Sequence, residues 1–247
     1  MRPMRGSRFG GGGFGGGFPG LESMSAKLAV ALVAGSVLFL LTKSGGGGLL
    51  LLSPGFLGSF LWQPFTYAFI EMSPMGIIFG AIIIWSIGGW LEGVWGPRRM
   101  LLVTLGCTVL AGFATALIIP RILSQGPLYA GGTVMASVLW VAYGMTIGKG
   151  QTNFWGIPLS GNAFAGIGAG FVVLGVLTRG NNLFEGLLIQ LPDVLGLLFV
   201  FVYLKGANPR RLWLGLQHWR LQRQLRGRAR NLRVISDERP SNDRFLN

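Results

Sequence analysis

Long apolar runs, separated by glycine, proline and charged residues, dominate the chain. Six of them are close to the length of about 20 residues that crosses a hydrocarbon core of about 30 Å, and they lie at 26–42, 74–94, 100–119, 128–148, 154–178 and 184–204. The first run also has features of a signal-peptide core, but it lacks an A-x-A-like cleavage site before the glycines at 45–48. The pattern therefore predicts a retained first helix and an all-α membrane protein with six transmembrane helices.

The segment 43–73 is apolar but is too interrupted to form one spanning helix. Glycines at 45–48 and the prolines Pro54 and Pro64 break it. Non-helical backbone at membrane depth must be covered by protein or line a wet cavity. We therefore predict an interfacial loop after helix 1, held by a surrounding bundle and anchored at the membrane surface by the aromatic residues Trp62, Phe65, Tyr67 and Phe69.

Composition and charge placement agree with this interpretation and predict an orientation. The chain of 247 residues is 51% hydrophobic and 12% charged, whereas soluble domains carry roughly 25% charged residues. With a cytoplasmic N-terminus, 18 Lys and Arg residues lie on the inner side and 3 on the outer side, namely Lys43, Arg121 and Arg179. This asymmetry predicts that both termini are cytoplasmic.

Arg outnumbers Lys 17 to 4, which is compatible with a GC-rich bacterial genome. We expect a bacterial inner-membrane protein.

Three regions follow from these patterns. Residues 1–25 form an arm rich in Gly, Phe and Arg that we expect to be disordered. Residues 26–205 form the membrane domain, and residues 206–247 form a basic cytoplasmic tail that is partly an amphipathic helix. The tail fits an anionic lipid surface, at about 1 kcal/mol per basic residue, or a cytoplasmic partner. We expect no nucleic acid there, because the interleaving of aromatic with basic residues stops at Trp219. The docking residues would be Arg220, Arg223, Arg226, Arg228 and Arg230.

Single occurrences of cysteine and histidine limit the chemistry. Cys107 alone excludes an intrachain disulfide, a CxxC pair and a thiolate zinc cage. The one histidine, His218, lies in the tail, beyond the last span. We therefore expect no metal site and no cofactor.

Four pairs of glycines four residues apart occur in three of the predicted helices, where they would let neighbouring helices approach closely. The pairs are Gly76 with Gly80, Gly89 with Gly93, Gly144 with Gly148, and Gly166 with Gly170.

Several strings, in this order and spacing, resemble the rhomboid intramembrane protease core over roughly residues 61–204. The aromatic loop reads Trp62-Gln63-Pro64-Phe65-Thr66-Tyr67-Ala68-Phe69. The second helix ends in Gly88, Leu91-Glu92, Gly96 and the basic turn Arg98-Arg99, and a glycine cluster opens the fourth helix. The resemblance implies a six-helix rhomboid-like bundle.

The positions that the resemblance makes catalytic carry other residues. A rhomboid protease pairs a serine in a G-x-S-G turn with a histidine on the sixth helix, because the hydroxyl needs a base to take its proton. Here the turn carries Thr133 followed by Val134, and Asp193 stands where the histidine is expected. The histidine and asparagine that hold the oxyanion on the second helix correspond to Gly76 and Gly80. We therefore expect a pseudoprotease rather than an enzyme, since an ordinary carboxylate with a pKa of about 4 is a poor base for a hydroxyl.

Asp193 is the one carboxylate well inside a predicted span, and an intramembrane ionisable residue is a functional hypothesis by default. It is either a structural group hydrogen-bonded to Thr133 or buried water, part of a grip on a client helix, or a proton or ion site. Glu71, Glu92 and Glu185 lie at span ends, where we expect water to solvate them.

The leading hypothesis is an inactive rhomboid-like adaptor or quality-control factor that binds transmembrane segments or membrane partners. The alternatives are a structural subunit of a larger membrane complex and a transport or proton pathway through Asp193. Client-binding candidates are Asp193, Thr133, Trp62 and Phe65.

Overall fold

The computed structural model of the chain describes residues 20, 22–42, 47–54, 60–123, 126–154 and 157–206. Within them the fold is helical apart from one hairpin. The elements are α1 (Met24–Thr42), α2 (Gln63–Thr66), α3 (Pro74–Trp95), α4 (Pro97–Ile122), α5 (Gly132–Ile147), β1 (Gln151–Phe154), β2 (Ile157–Ser160), α6 (Gly161–Thr178), α7 (Leu183–Ile189) and α8 (Leu191–Leu204), with short 3₁₀ turns at Gly47–Leu50 and Tyr67–Phe69.

Every predicted span contains an apolar helix. Four described helices, α1, α3, α4 and α6, are long and apolar enough to cross a membrane, and the number is five if α7 and α8, which meet at an angle of 69°, are counted as one span. The remaining helix, α5, has only 16 residues. Because α5 packs against α3, α6 and α8 and buries most of its side chains, it lies inside the bundle rather than against lipid. The all-α membrane bundle predicted from the sequence is confirmed.

The predicted start of one span is wrong, because a hairpin precedes the helix. The span expected from residue 154 begins instead at Gly161, after an antiparallel hairpin that pairs Thr152 with Leu159. Pro158 lies in that hairpin, and the Ser160 side chain accepts a hydrogen bond from the Ala163 N–H, which starts α6.

The last span is divided at Gln190 into two helices, so the continuous helix predicted over 184–204 is wrong. Pro192 lies in the first turn of α8, where the missing N–H of proline costs no intrahelical hydrogen bond. The proline therefore marks the start of a new helix and does not kink a continuous one.

Tyr67 is not a membrane-surface anchor. Its side chain is fully buried, and its hydroxyl donates to the Thr108 carbonyl of α4. Gly112 and Gly131 leave room for the ring, because a β carbon at either position would lie within 2.7 Å of it. Trp62 and Phe65, by contrast, are exposed, as expected for interface residues.

The glycine pairs serve different purposes. Gly144 contacts Gly161 and Ala165 of α6 at a distance that excludes a β carbon, as expected for helix packing. Gly148 ends α5 with a φ of 61°, a conformation that favours glycine. Gly166 and Gly170 face open space, so the prediction that they pack against a helix is wrong.

The predictions for the arm up to residue 19 and for the basic tail, including Arg220, Arg223, Arg226, Arg228 and Arg230, lie outside the described residues.

Candidate functional site

The start of α5 is held by the loop that precedes α3. The Gly131 N–H donates to the Tyr67 carbonyl at 2.8 Å, and the Gly132 N–H donates to the Ile70 carbonyl at 3.0 Å. The Thr133 N–H donates to Oε2 of the Glu71 side chain at 3.0 Å. Helix N-termini leave several N–H groups without intrahelical partners, and this loop supplies partners at three consecutive residues.

Glu71 is the residue that sequence reasoning missed. It is 6% exposed, so the expectation that water solvates it at a span end is wrong. Its backbone N–H donates to Ser36 Oγ of α1 at 2.9 Å, and its Oε1 accepts hydrogen bonds from the Met72 and Ser73 N–H groups at 3.1 and 3.3 Å. Glu71 thus joins α1 through its backbone N–H, and the loop and α5 through its carboxylate.

Gly76 and Gly80 of α3 leave the space that Glu71 and α1 fill. A β carbon at Gly76 would lie 2.8 Å from Glu71 Cδ, and one at Gly80 would lie 3.2 Å from Leu32 Cδ2. No side chain fits at Gly76 unless Glu71 moves. Neither position carries a side-chain donor, and at Gly76 the space that a donor would need is occupied.

Thr133 and Asp193 lie on helices that pack together. Gly196 of α8 contacts Val134 and Val138 of α5, one turn along from the two residues of interest. Among the described residues no hydrogen bond joins Thr133 to Asp193. The hydrogen bond between Asp193 and Thr133 that was considered from the sequence is therefore absent, and the contact that Thr133 makes with a carboxylate runs from its backbone N–H to Glu71.

Asp193 is 5% exposed in the first turn of α8 and lies within electrostatic range of Arg179, Glu71 and Tyr67. Burial raises the pKa of the Tyr67 hydroxyl above its ordinary value, and the negative charge of Asp193 raises it further. Tyr67 is therefore a neutral donor. The cluster holds two carboxylates and one guanidinium, in addition to this phenol.

Arg179 connects the cluster to the break in the last span. Its Nη1 donates to Oε1 of the buried Gln190 at 3.0 Å. The Gln190 amide also lies over Gly175 of α6, where a β carbon would be 2.0 Å from Nε2. Neither Arg179 nor Gln190 stands out in the sequence, because the turn between α6 and α7 brings them together only in the fold.

Next to this polar cluster, α3, α5 and α6 enclose an apolar cleft of about 170 Å³. The helices α3 and α6 each pack on α5 but make little contact with each other. Trp140 forms part of the floor, stacked on Phe164 and seated over Gly168. The cleft is lined by Gly76, Phe79, Gly80, Ile83, Thr133, Ala136, Ser137, Trp140, Gly168 and Phe171.

The structure does not bring the four candidate client-binding residues together. Thr133 lines the cleft, whereas Asp193 lies in the polar cluster. Trp62 and Phe65 are not among the lining residues, and Phe65 instead meets Phe113 of α4 edge to face at 5.9 Å. Within the described ranges no three His, Cys, Asp or Glu side chains are placed to hold a metal ion.

The family model for the Rhomboid domain matches residues 59–207. The match begins just before α2 and extends past the end of α8, so it includes Glu71, Thr133 and Asp193. Comparison with curated proteins gave no match.

Proposed function

Because this chain belongs to the rhomboid family of membrane proteins, we propose that it is a non-proteolytic member that binds transmembrane segments of other membrane proteins in the cleft between α3 and α6. The observation that carries the proposal is the coexistence of an accessible apolar cleft with a polar cluster in which, among the described residues, no hydrogen bond joins the Thr133 hydroxyl to a carboxylate.

Peptide-bond cleavage by a hydroxyl nucleophile needs a base and preorganised oxyanion donors. The family's serine position carries Thr133, and the sequence has no histidine before His218. Gly76 and Gly80 offer no side-chain donor, and removal of a single such donor in an enzyme costs about 100 to 1,000-fold in rate. With Asp193 at the histidine position of α8, these departures lie on three different helices, and each of them acts against proteolysis.

The cleft has the features that helix association in a membrane requires. Gly76, Gly80 and Gly168 line the cleft without a side chain that could fill it. The Thr133 and Ser137 side chains, one turn apart on α5, place hydroxyls within the apolar wall, where they can hydrogen-bond to a visiting helix. Phe79 and Phe171 are more than half exposed at the rim, as expected for side chains that a client would cover.

Site-specific photocrosslinking in native membranes tests the binding site. A photoreactive phenylalanine analogue at Phe79 or Phe171 is expected to crosslink to transmembrane segments of several membrane proteins. The same analogue at Leu102, which is 69% exposed on α4 and outside the cleft, serves as the control. Ser137→Leu should reduce the crosslinks at least about tenfold by filling the cleft, whereas Gly170→Leu, which points into open space, should leave them unchanged.

The pattern of crosslinks decides between the proposals. Many substoichiometric partners that are lost with Ser137→Leu support client binding. One partner at equal stoichiometry supports the structural-subunit hypothesis, and equal crosslinking from Leu102 contradicts the cleft as the site.

A cleavage assay tests the absence of proteolysis. With a transmembrane peptide in proteoliposomes, the wild-type protein and Thr133→Ala should give the same background rate, because Thr133 carries no nucleophilic role. A rate that falls at least about tenfold in Thr133→Ala, as loss of a nucleophile predicts, would show that the protein is a protease.

A further inference from the structure

The carboxylate of Glu71 takes the place of a bound anion at the start of α5. Helix N-termini attract anions through unpaired N–H groups and the positive end of the helix dipole. Here the position is occupied by a side chain from the same chain, at 3.0 Å from the Thr133 nitrogen.

The hydrogen bond between Glu71 and the Thr133 N–H is buried, and neighbouring residues hold the Glu71 side chain in position. Gly132 and Gly76 pack against the Glu71 side chain on two sides, closely enough to exclude a β carbon at either position. Ser36 of α1 accepts from the Glu71 backbone N–H, and the next two N–H groups along the loop donate to Oε1. The carboxylate therefore has donors on both oxygens while it is almost fully buried.

We propose that Glu71 is a built-in anionic ligand of α5. It locks the loop of residues 60–73 onto the helix, and it keeps the Thr133 N–H occupied. In an acyl-transfer enzyme the N–H of the nucleophile residue is one of the donors that must be free to meet the developing oxyanion. With Glu71 in place, a carboxylate stands where that negative charge would develop, and like charges repel. The inference concerns the chain alone and does not rest on client binding.

Chemical rescue tests the proposal on the purified full-length protein in detergent. Glu71→Ala should lower the unfolding temperature by about 5 to 10 °C, because it removes the carboxylate that accepts hydrogen bonds from the N–H groups of Thr133, Met72 and Ser73. Formate, a carboxylate small enough for the vacated position, should restore about half of that loss or more relative to chloride at the same ionic strength.

The matched control is Glu185→Ala. The Glu185 carboxylate also accepts backbone hydrogen bonds near a helix start, from the Asn181 N–H at 3.0 Å, but this contact is exposed to solvent. Its removal should lower the unfolding temperature by no more than about 3 °C, with no difference between formate and chloride. Equal behaviour of Glu71→Ala in the two salts, or an unfolding temperature equal to that of the wild type, would overturn the proposal.

Hydrogen exchange gives a second measurement that does not depend on the alanine variant being folded. The isosteric Glu71→Gln removes the charge and presents an amide N–H₂ to a site made of donors. Amide exchange at Thr133 should become at least about tenfold faster, while exchange within α4 stays unchanged. An unchanged exchange rate at Thr133 would show that the carboxylate does not hold the helix start.

Discussion

At the scale of residues, Gly76 of α3 and the buried Glu71 are one structural feature rather than two separate ones. Gly76 has no side chain, and the Glu71 carboxyl group fills the space beside it. A donor side chain at residue 76 and a carboxylate at the start of α5 are therefore mutually exclusive in this backbone. Sequence reasoning identified Gly76 as a departure from the family pattern, but it could not show what replaces the missing side chain.

This exclusion predicts an energetic coupling between residues 76 and 71. Gly76→Ala should destabilise the protein by about 1 to 3 kcal/mol, because the new methyl group overlaps Glu71 Cγ and Cδ. In the Glu71→Ala background the same change should cost at least about 0.5 kcal/mol less. A denaturant titration of the four proteins of this cycle in micelles measures both values.

The control for the cycle is Gly106→Ala. A β carbon at Gly106 of α4 meets nothing within 4 Å, so this change should be neutral or stabilising by about 0.5 to 1 kcal/mol through the higher helix propensity of alanine. Additive costs at residues 76 and 71 would contradict the coupling.

At the scale of elements, the apolar runs predicted the helices well, because a run of about 20 apolar residues has few alternatives to a helix. The errors are of two kinds. The hairpin before α6 and the break at Gln190 follow local signals, namely a proline in a strand and a proline at a helix start. A prediction made from hydrophobic runs alone does not take these signals into account. The burial of Tyr67 depends on Gly112 and Gly131, far along the chain, and no local pattern reports it.

At the scale of the whole molecule, the few acidic groups are used at helix starts. Glu92 accepts hydrogen bonds from the Met24 and Ser25 N–H groups at the start of α1, and Glu71 does the same for α5. Glu185 and Asp193 lie in the first turns of α7 and α8. In a chain with 8 acidic residues, this placement puts negative charge against the positive ends of helix dipoles, so the acidic residues described here have structural reasons to be present.

The distribution of basic residues along the fold predicts which side of the membrane the polar cluster faces. Lys149 and Asn181 flank α6 at opposite ends, and both are exposed. The excess of basic residues on the side of Lys149 predicts that this side is cytoplasmic. In a Cys107→Ser background, a membrane-impermeant maleimide should label Asn181→Cys in intact cells, and Lys149→Cys only after lysis. Arg179 of the polar cluster lies at the same end of α6 as Asn181, so this result would place that part of the cluster on the side away from the cytoplasm. The reverse labelling would place the cluster and the start of α5 at the cytoplasmic face, where a client helix would have to meet it from the other leaflet.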